Sequence, residues 1–126
     1  LAKNREGVAR RNEIANVYKE AFKSKIKFQS LGKGVVNAHH LFIIEINEKK
    51  SMYDFLRKHN ILTQVHYIPV HTLPYYERIG YSDAELSNSV NYYSKCLSLP
   101  MFPNLKPEEQ TFIIEKVLLF VKQIHK

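Results

Sequence analysis

The chain has 126 residues, with 19 Lys or Arg against 12 Asp or Glu and a net charge of +7. Its 44% hydrophobic and 25% charged residues are the composition of a folded domain, which excludes a disordered chain. The lone cysteine, Cys96, has no internal partner, which excludes a secreted disulfide scaffold. A chain of this size forms one domain and buries roughly two-thirds of the surface its unfolded form exposes. The longest aliphatic and aromatic run, Val117-Leu118-Leu119-Phe120-Val121, is too short for a membrane span. No apolar stretch follows the basic N-terminus as in a signal peptide. The expectation is a soluble domain of a reducing, cytoplasmic compartment. Because the first residue is Leu1, it is also expected to be a piece of a longer protein.

Residues 4–23 have helical spacing. Val8, Arg11, Ala15, Tyr18 and Phe22 recur at steps of three or four, a stripe thin enough to suggest missing cover. Residues 1–33 carry nine basic and three acidic residues, a net +6, whereas residues 34–126 carry +1. Such an arm suits nucleic acid, an acidic membrane surface or a phosphorylated ligand, and equally a solvated helix face. Lys25–Leu31 alternates around Ile26 and Phe28 as a short half-buried strand, punctuated by Gly32 and Gly34. Leu41–Ile46 is apolar enough for a strand buried on both faces.

A second helix is predicted from Ser51, where Ser51 and Asp54 have capping-box-like spacing. Met52, Phe55, Leu56 and His59 line one side, and Asn60 suits a left-handed stop. Ile61–Tyr67 is predicted as a strand with Thr63, Val65 and Tyr67 on one face and Leu62, Gln64 and His66 on the other. Residues 68–81, with Pro69, Pro74 and Gly80, cannot be one regular element and are more aromatic than a solvent loop usually is. A third helix is predicted from Ser82, with Glu85 at capping distance and Leu86, Val90 and Tyr93 as its stripe. Cys96–Leu99 then forms a short strand. A last helix begins at Pro107 with Glu108 and Glu109 suited to its dipole, and Ile113, Val117, Phe120 and Ile124 as its apolar stripe. The fold class is α+β, a small sheet packed against helices.

Six histidines raise the question of a metal, but His66 and His71 stand five apart, His39 and His40 are adjacent, and no His-Glu-x-x-His occurs. Hydrogen-bonding histidines are expected, and no metal. Cys96 has the apolar neighbours of a small buried residue, not of a nucleophile. Paired carboxylates and phosphate-binding glycine loops are missing from the pattern. What stands out is His66-Tyr67-Ile68-Pro69-Val70-His71-Thr72-Leu73-Pro74-Tyr75-Tyr76. Two imidazoles and three phenols offer flat apolar area with hydrogen-bonding edges, which suits a polar ring or a sugar. The same residues could simply pack the loop.

Four stretches resemble one family in order. They are Asn37-Ala38-His39-His40-Leu41-Phe42, the helix ending in Leu56 before Asn60-Ile61, Val65-His66-Tyr67-x-Pro69-x-His71 with Pro74-Tyr75, and Leu97-Ser98-Leu99-Pro100-Met101-Phe102-Pro103-Asn104-Leu105 before Glu108-Glu109. Together with Arg11, Ala15 and Tyr18 of the opening helix, they are similar to the C-terminal domain of the DegT/DnrJ/StrS-type nucleotide-sugar aminotransferases. The resemblance implies the small domain of a fold-type I pyridoxal-phosphate enzyme. Residues 1–24 would be a connecting helix and 25–126 the body, with the large cofactor-binding domain absent. The family reaction moves an amino group, usually from glutamate, to a nucleotide-linked keto sugar in surface-polysaccharide or glycan synthesis. It uses a lysine that holds pyridoxal phosphate and a carboxylate at the pyridine nitrogen.

Neither of those groups has a counterpart in the pattern. The family lysine precedes paired glycines, and none of the 14 lysines here has that setting; Asp54 and Asp83 both fall in small-domain helices. The resemblance therefore implies a fragment that is inactive and binds no cofactor by itself, from a parent that works as a homodimer. His66, Tyr67 and His71 are the expected cleft-lining, substrate-binding residues, with Tyr75 packing behind them. Relatives using the fold for other sugar chemistry or for sensing remain open. So does a free-standing basic α+β module that binds nucleic acid or another anionic partner, although nucleic acid is the less expected partner and a membrane is not expected.

Overall fold

The first helix owes its place to its second half. The computed structural model describes residues 2–32, 34–81 and 86–124, and it opens with α1 (Ala2–Phe22). Ile14, Tyr18 and Phe22 stand four residues apart and, with Ala15, are fully buried. The Tyr18 ring stacks on Phe22 at 5.7 Å and tilts against Phe42 at 4.9 Å, while its phenol donates to the Pro100 carbonyl at 2.9 Å. Burial pushes this phenol well above its ordinary pKa, so it remains a donor. The helix ends at Phe22, and Ser24, with φ 62°, turns the chain so that the amides of Lys25 and Ile26 both reach the Phe22 carbonyl.

Three short antiparallel strands follow, in the order β1 (Lys27–Phe28), β2 (Phe42–Glu45) and β3 (Cys96–Leu99) across the sheet. Phe42 pairs with Leu99 and Ile44 with Leu97, and these four buried side chains share one face because cross-strand partners point the same way. Ile43, Glu45, Cys96 and Ser98 occupy the other face. β2 therefore alternates buried with half-buried residues, where the sequence suggested burial on both sides. The predicted first strand shrinks to two residues.

The core face of the sheet meets α1, α2 (Lys49–Lys58) and α5 (Pro107–Ile124). Met52 and Leu56 of α2 and Ile113, Val117 and Phe120 of α5 are buried there, as their spacing predicts; Ile124 is left at the surface. α2 starts two residues before Ser51 and has no side-chain cap. The reason is tertiary. The Lys49 ammonium donates to the Tyr93 carbonyl and sits 4.2 Å over the Tyr93 ring, while Asp54 pairs with Lys50 at 2.8 Å instead of capping. At the other end Asn60 has φ 59°, and the Ile61 and Asn60 amides bond the Leu56 and Arg57 carbonyls in the pattern of a left-handed stop. At α5 the Lys106 amide donates to the Glu109 carboxylate at 2.9 Å, so the acid supplies the capping bond that Lys106 cannot.

Ile61–Tyr67 is a correction. It forms no strand beyond one bridge, Gln64 to Ser98, with the Gln64 amide donating at 3.1 Å and the Ser98 amide at 2.8 Å. Thr63 is buried and Val65 half-buried as expected, but Tyr67 turns outward while His66 turns in toward Ser98. Past the bridge the chain bonds β3 through a side chain and not through a ladder. The start of the third helix at Ser82 and Glu85 lies outside the described residues; α4 (Ser87–Lys95) follows and buries none of its side chains fully.

Residues 35–41 carry no regular structure yet are tied to α1. The Asn12 amide group donates to the Asn37 carbonyl at 3.0 Å, Arg11 to the Ala38 carbonyl at 3.2 Å, and Lys19 to His39 Nε2 at 3.3 Å. An ammonium can only donate, so His39, 5% exposed and at φ 46°, is a neutral acceptor here. Burial first, and the Lys19 charge second, lower its pKa. A lowered folded-state value means the contribution of His39 is complete above its unfolded pKa of about 6.5 and declines as pH falls below that. The urea midpoint is expected to drop between pH 7.5 and 5.5 by less in His39→Asn, which tolerates the same φ, than in the parent. An identical pH dependence in both would show that His39 does not report on this contact.

Candidate functional site

The second face of the sheet positions the candidate residues. His66 Nδ1 lies 2.8 Å from Ser98 Oγ, and the Cys96 thiol approaches the His66 carbonyl at 3.9 Å. Ser98 and Cys96 are 5% and 1% exposed although they point away from the helical core; His66 lies against both, and the Cys96 thiol also approaches the Tyr93 carbonyl of α4 at 3.7 Å. Burial raises the Cys96 pKa above its ordinary value, which fits the small packing residue expected there. Half-buried His66 meets the Tyr67 ring edge-on at 4.8 Å, and Tyr67 itself is 73% exposed.

Beyond Tyr67 the chain makes a 3-10 turn (Val70–Thr72) and a short α3 (Pro74–Arg78). Proline suits both: Pro69 leaves its carbonyl to accept from the amide and hydroxyl of Thr72, and Pro74 has no amide to leave unpaired at the first helical position. His71 is buried inside this turn, with its Nε2 unpartnered among the described residues. Tyr76 packs edge-on against Tyr75 at 5.3 Å and Tyr81 at 6.1 Å. Gly80, at φ 93°, returns the chain so that the Tyr81 amide bonds the Tyr76 carbonyl.

Two groups result where the sequence suggested one. His66, bonded to Ser98, stands beside Tyr67, whereas Tyr75 belongs with Tyr76 and Tyr81. Tyr75 is exposed and does not pack behind the histidines. Ser98 went unselected by sequence reasoning, although a hydroxyl within the apolar run Cys96–Leu99 was a signal that something must bond it. Tyr67, Ile68, Val70, Tyr75, Ile79 and Tyr81 are all more than half exposed, so residues 67–81 present many apolar and phenolic side chains to solvent.

The residues gathered here suit a flat, hydroxylated ligand and do not fit a pyridoxal-phosphate pocket. Residues 66–81 contain no lysine, and their one carboxylate, Glu77, is exposed on α3. A groove of about 650 Å³ elsewhere, lined by Leu62, Phe102, Phe112 and Ile113, includes none of the four expected site residues. Among the described residues no group of three His, Cys, Asp or Glu could hold a metal ion, and no helix is long and apolar enough to cross a membrane. Part of the basic arm is used internally. Arg10 binds Glu13 and the Leu105 carbonyl, and Arg11 and Lys19 hold the 35–41 loop.

A three-stranded antiparallel sheet with α1, α2 and α5 on one face and an aromatic loop running on from the bridge at the edge of β3 is a fold found within the pyridoxal-phosphate aminotransferases. Spr1654 of Streptococcus pneumoniae, apo form, matches it with a TM-score of 0.91 at 22% identity, over 98% of this chain and 33% of that one; the same protein is also solved in PLP and PMP forms. Residues 1–118 match the DegT/DnrJ/EryC1/StrS aminotransferase family, and the chain belongs to it. The spore coat polysaccharide biosynthesis protein SpsC of Bacillus subtilis is 37% identical over 126 residues, covering 90% of this chain and 32% of the relative. The dTDP-3-amino-3,6-dideoxy-alpha-D-galactopyranose transaminase of Aneurinibacillus thermoaerophilus is 30% identical, covering 86% of this chain and 30% of its own length. The chain thus spans about a third of the length of these relatives.

Proposed function

We propose that the chain is the C-terminal small domain of an aminotransferase that moves an amino group, from glutamate, to a nucleotide-linked keto sugar in surface-polysaccharide or glycan synthesis. Residues 1–24 lead in from a large domain and residues 25–126 form the body; the parent enzyme is a cytoplasmic homodimer. The reading rests above all on one observation: in a chain of this family, His66 and Tyr67 stand side by side at the start of an exposed phenolic surface. The names of the relatives support a nucleotide-linked sugar and polysaccharide synthesis.

Pyridoxal phosphate, bound by the rest of the parent enzyme, supplies the amino-transfer chemistry. This chain contributes recognition. His66 and Tyr67 hydrogen-bond the sugar or its phosphates, the apolar surface around them excludes water, and His71 supports the turn that carries them. The isolated chain binds no cofactor and does not catalyse.

In the full-length enzyme His66→Ala is expected to raise KM for the nucleotide sugar about tenfold, the loss of one hydrogen bond to a polar or charged ligand. KM for the amino donor should stay near the parent value, and the melting temperature should fall by only a few degrees, the cost of leaving the Ser98 hydroxyl without its imidazole partner. An unchanged specificity constant for the sugar together with lost stability would mean that His66 is a packing residue.

A further inference from the structure

We propose that Ser98 is a positioning residue for sugar recognition, because its hydroxyl donates to His66 Nδ1 and so leaves the His66 proton on Nε2. The inference rests on the reading of His66 as a substrate-binding residue and adds how that residue is prepared. Ser98 lies in β3 on the face away from the helical core and is 5% exposed. Three hydrogen bonds converge on it from the 64–66 segment: both backbone bonds with Gln64, at 3.1 and 2.8 Å, and the side-chain bond with His66 at 2.8 Å. The imidazole is thus held both through its own chain and through its ring.

The direction of the side-chain bond follows from counting donors. Among the described residues His66 Nδ1 is the one hydrogen-bond partner of Ser98 Oγ. If Nδ1–H donated to the hydroxyl, the buried hydroxyl proton would have no acceptor, which costs about 1–3 kcal/mol. If the hydroxyl donates, every proton at the contact is used. Nδ1 is then the acceptor, and the neutral ring carries its hydrogen on Nε2. That nitrogen bonds no described residue and belongs to the half-buried ring beside exposed Tyr67. A fixed N–H donor there selects ligand oxygens that can only accept, or do so best: phosphate oxygens and the ring or hydroxyl oxygens of a sugar. A serine replaced by alanine would free the ring to rotate and to exchange tautomers, weakening binding without touching the reacting atoms.

The test uses the full-length enzyme with its nucleotide-sugar and amino-donor substrates. Ser98→Ala is expected to raise KM for the nucleotide sugar about five- to tenfold, with kcat and the amino-donor KM within about twofold of the parent. Ser98→Thr, which keeps the hydroxyl on a strand-compatible side chain, should restore KM to within about twofold. In a His66→Ala background Ser98→Ala should add less than about twofold, the signature of two residues acting as a unit. A silent Ser98→Ala beside a damaging His66→Ala overturns the positioning role and leaves the site reading intact. Equal penalties for Ser98→Ala in both backgrounds also overturn it, because Ser98 would then act through packing. A silent His66→Ala overturns both readings at once.

Discussion

Tyr18→Ala is expected to lower the unfolding free energy by about 4–6 kcal/mol in urea titrations of the 126-residue chain. Removing a fully buried aromatic ring typically costs about 3–5 kcal/mol through lost transfer energy and the cavity left behind. Here the ring also stacks on Phe22 and tilts against Phe42, and its loss takes away the hydrogen bond at the Pro100 carbonyl. Native domains have total stabilities of about 5–15 kcal/mol, so the variant would lose at least about a quarter of its stability and could lose all of it. Tyr18→Phe separates the two contributions. It keeps the rings and should cost only about 1–2 kcal/mol, the value of the hydroxyl and its bond. The comparison decides whether α1 is a connector or a wall of the core. A Tyr18→Ala chain within about 1 kcal/mol of the parent would make the helix an appendage; the expected loss makes its second half as much part of the domain as β2.

Local periodicity carried most of that architecture. Tyr18 and Phe22, Met52 and Leu56, and Ile113, Val117 and Phe120 were identifiable because a helix stacks residues at three- and four-residue steps whatever lies beyond it. Asn60 and Pro107 were identifiable because each suits one backbone position that few other residues tolerate. What escaped depends on partners distant in sequence. The start of α2 is set by Lys49 reaching Tyr93, 44 positions away, and no local cap announces it. The alternation in Ile61–Tyr67 predicts a strand, but among the described residues its one ladder partner is Ser98, so pairing stops after one bridge.

The candidate site was legible in kind and not in arrangement. A run of imidazoles, phenols and prolines pointed to residues 66–76, and the family resemblance gave that run a purpose. Nothing in the spacing told Tyr75 to stand with Tyr76 and Tyr81, since a 3-10 turn separates it from His66 and it begins a new helix. Nor could spacing show that His66 is held by a serine 32 residues later. His39 and His40 drew notice as a pair, yet only His39 is buried, and its work is to bind a loop to α1.

The helical face of α5 offers the sharpest test of the core. Val117 is fully buried, and Leu119, two residues and about 200° around the helix, is 41% exposed. Val117→Asp would place a carboxylate among Ile14, Met52, Leu56 and Phe120, all of them apolar. No Lys or Arg is buried among the described residues, so the group must either stay charged without a partner or take up a proton, and either route costs several kcal/mol at neutral pH. The expected result is a chain without a cooperative urea transition. Leu119→Asp, the same chemistry on the opposite side, should cost less than about 1 kcal/mol, because the carboxylate stays hydrated. Equal losses at the two positions would mean that α5 is enclosed on both sides in the isolated chain. Tolerance of both would mean that α5 does not close the core at all, and that the sheet, α1 and α2 define the folded unit.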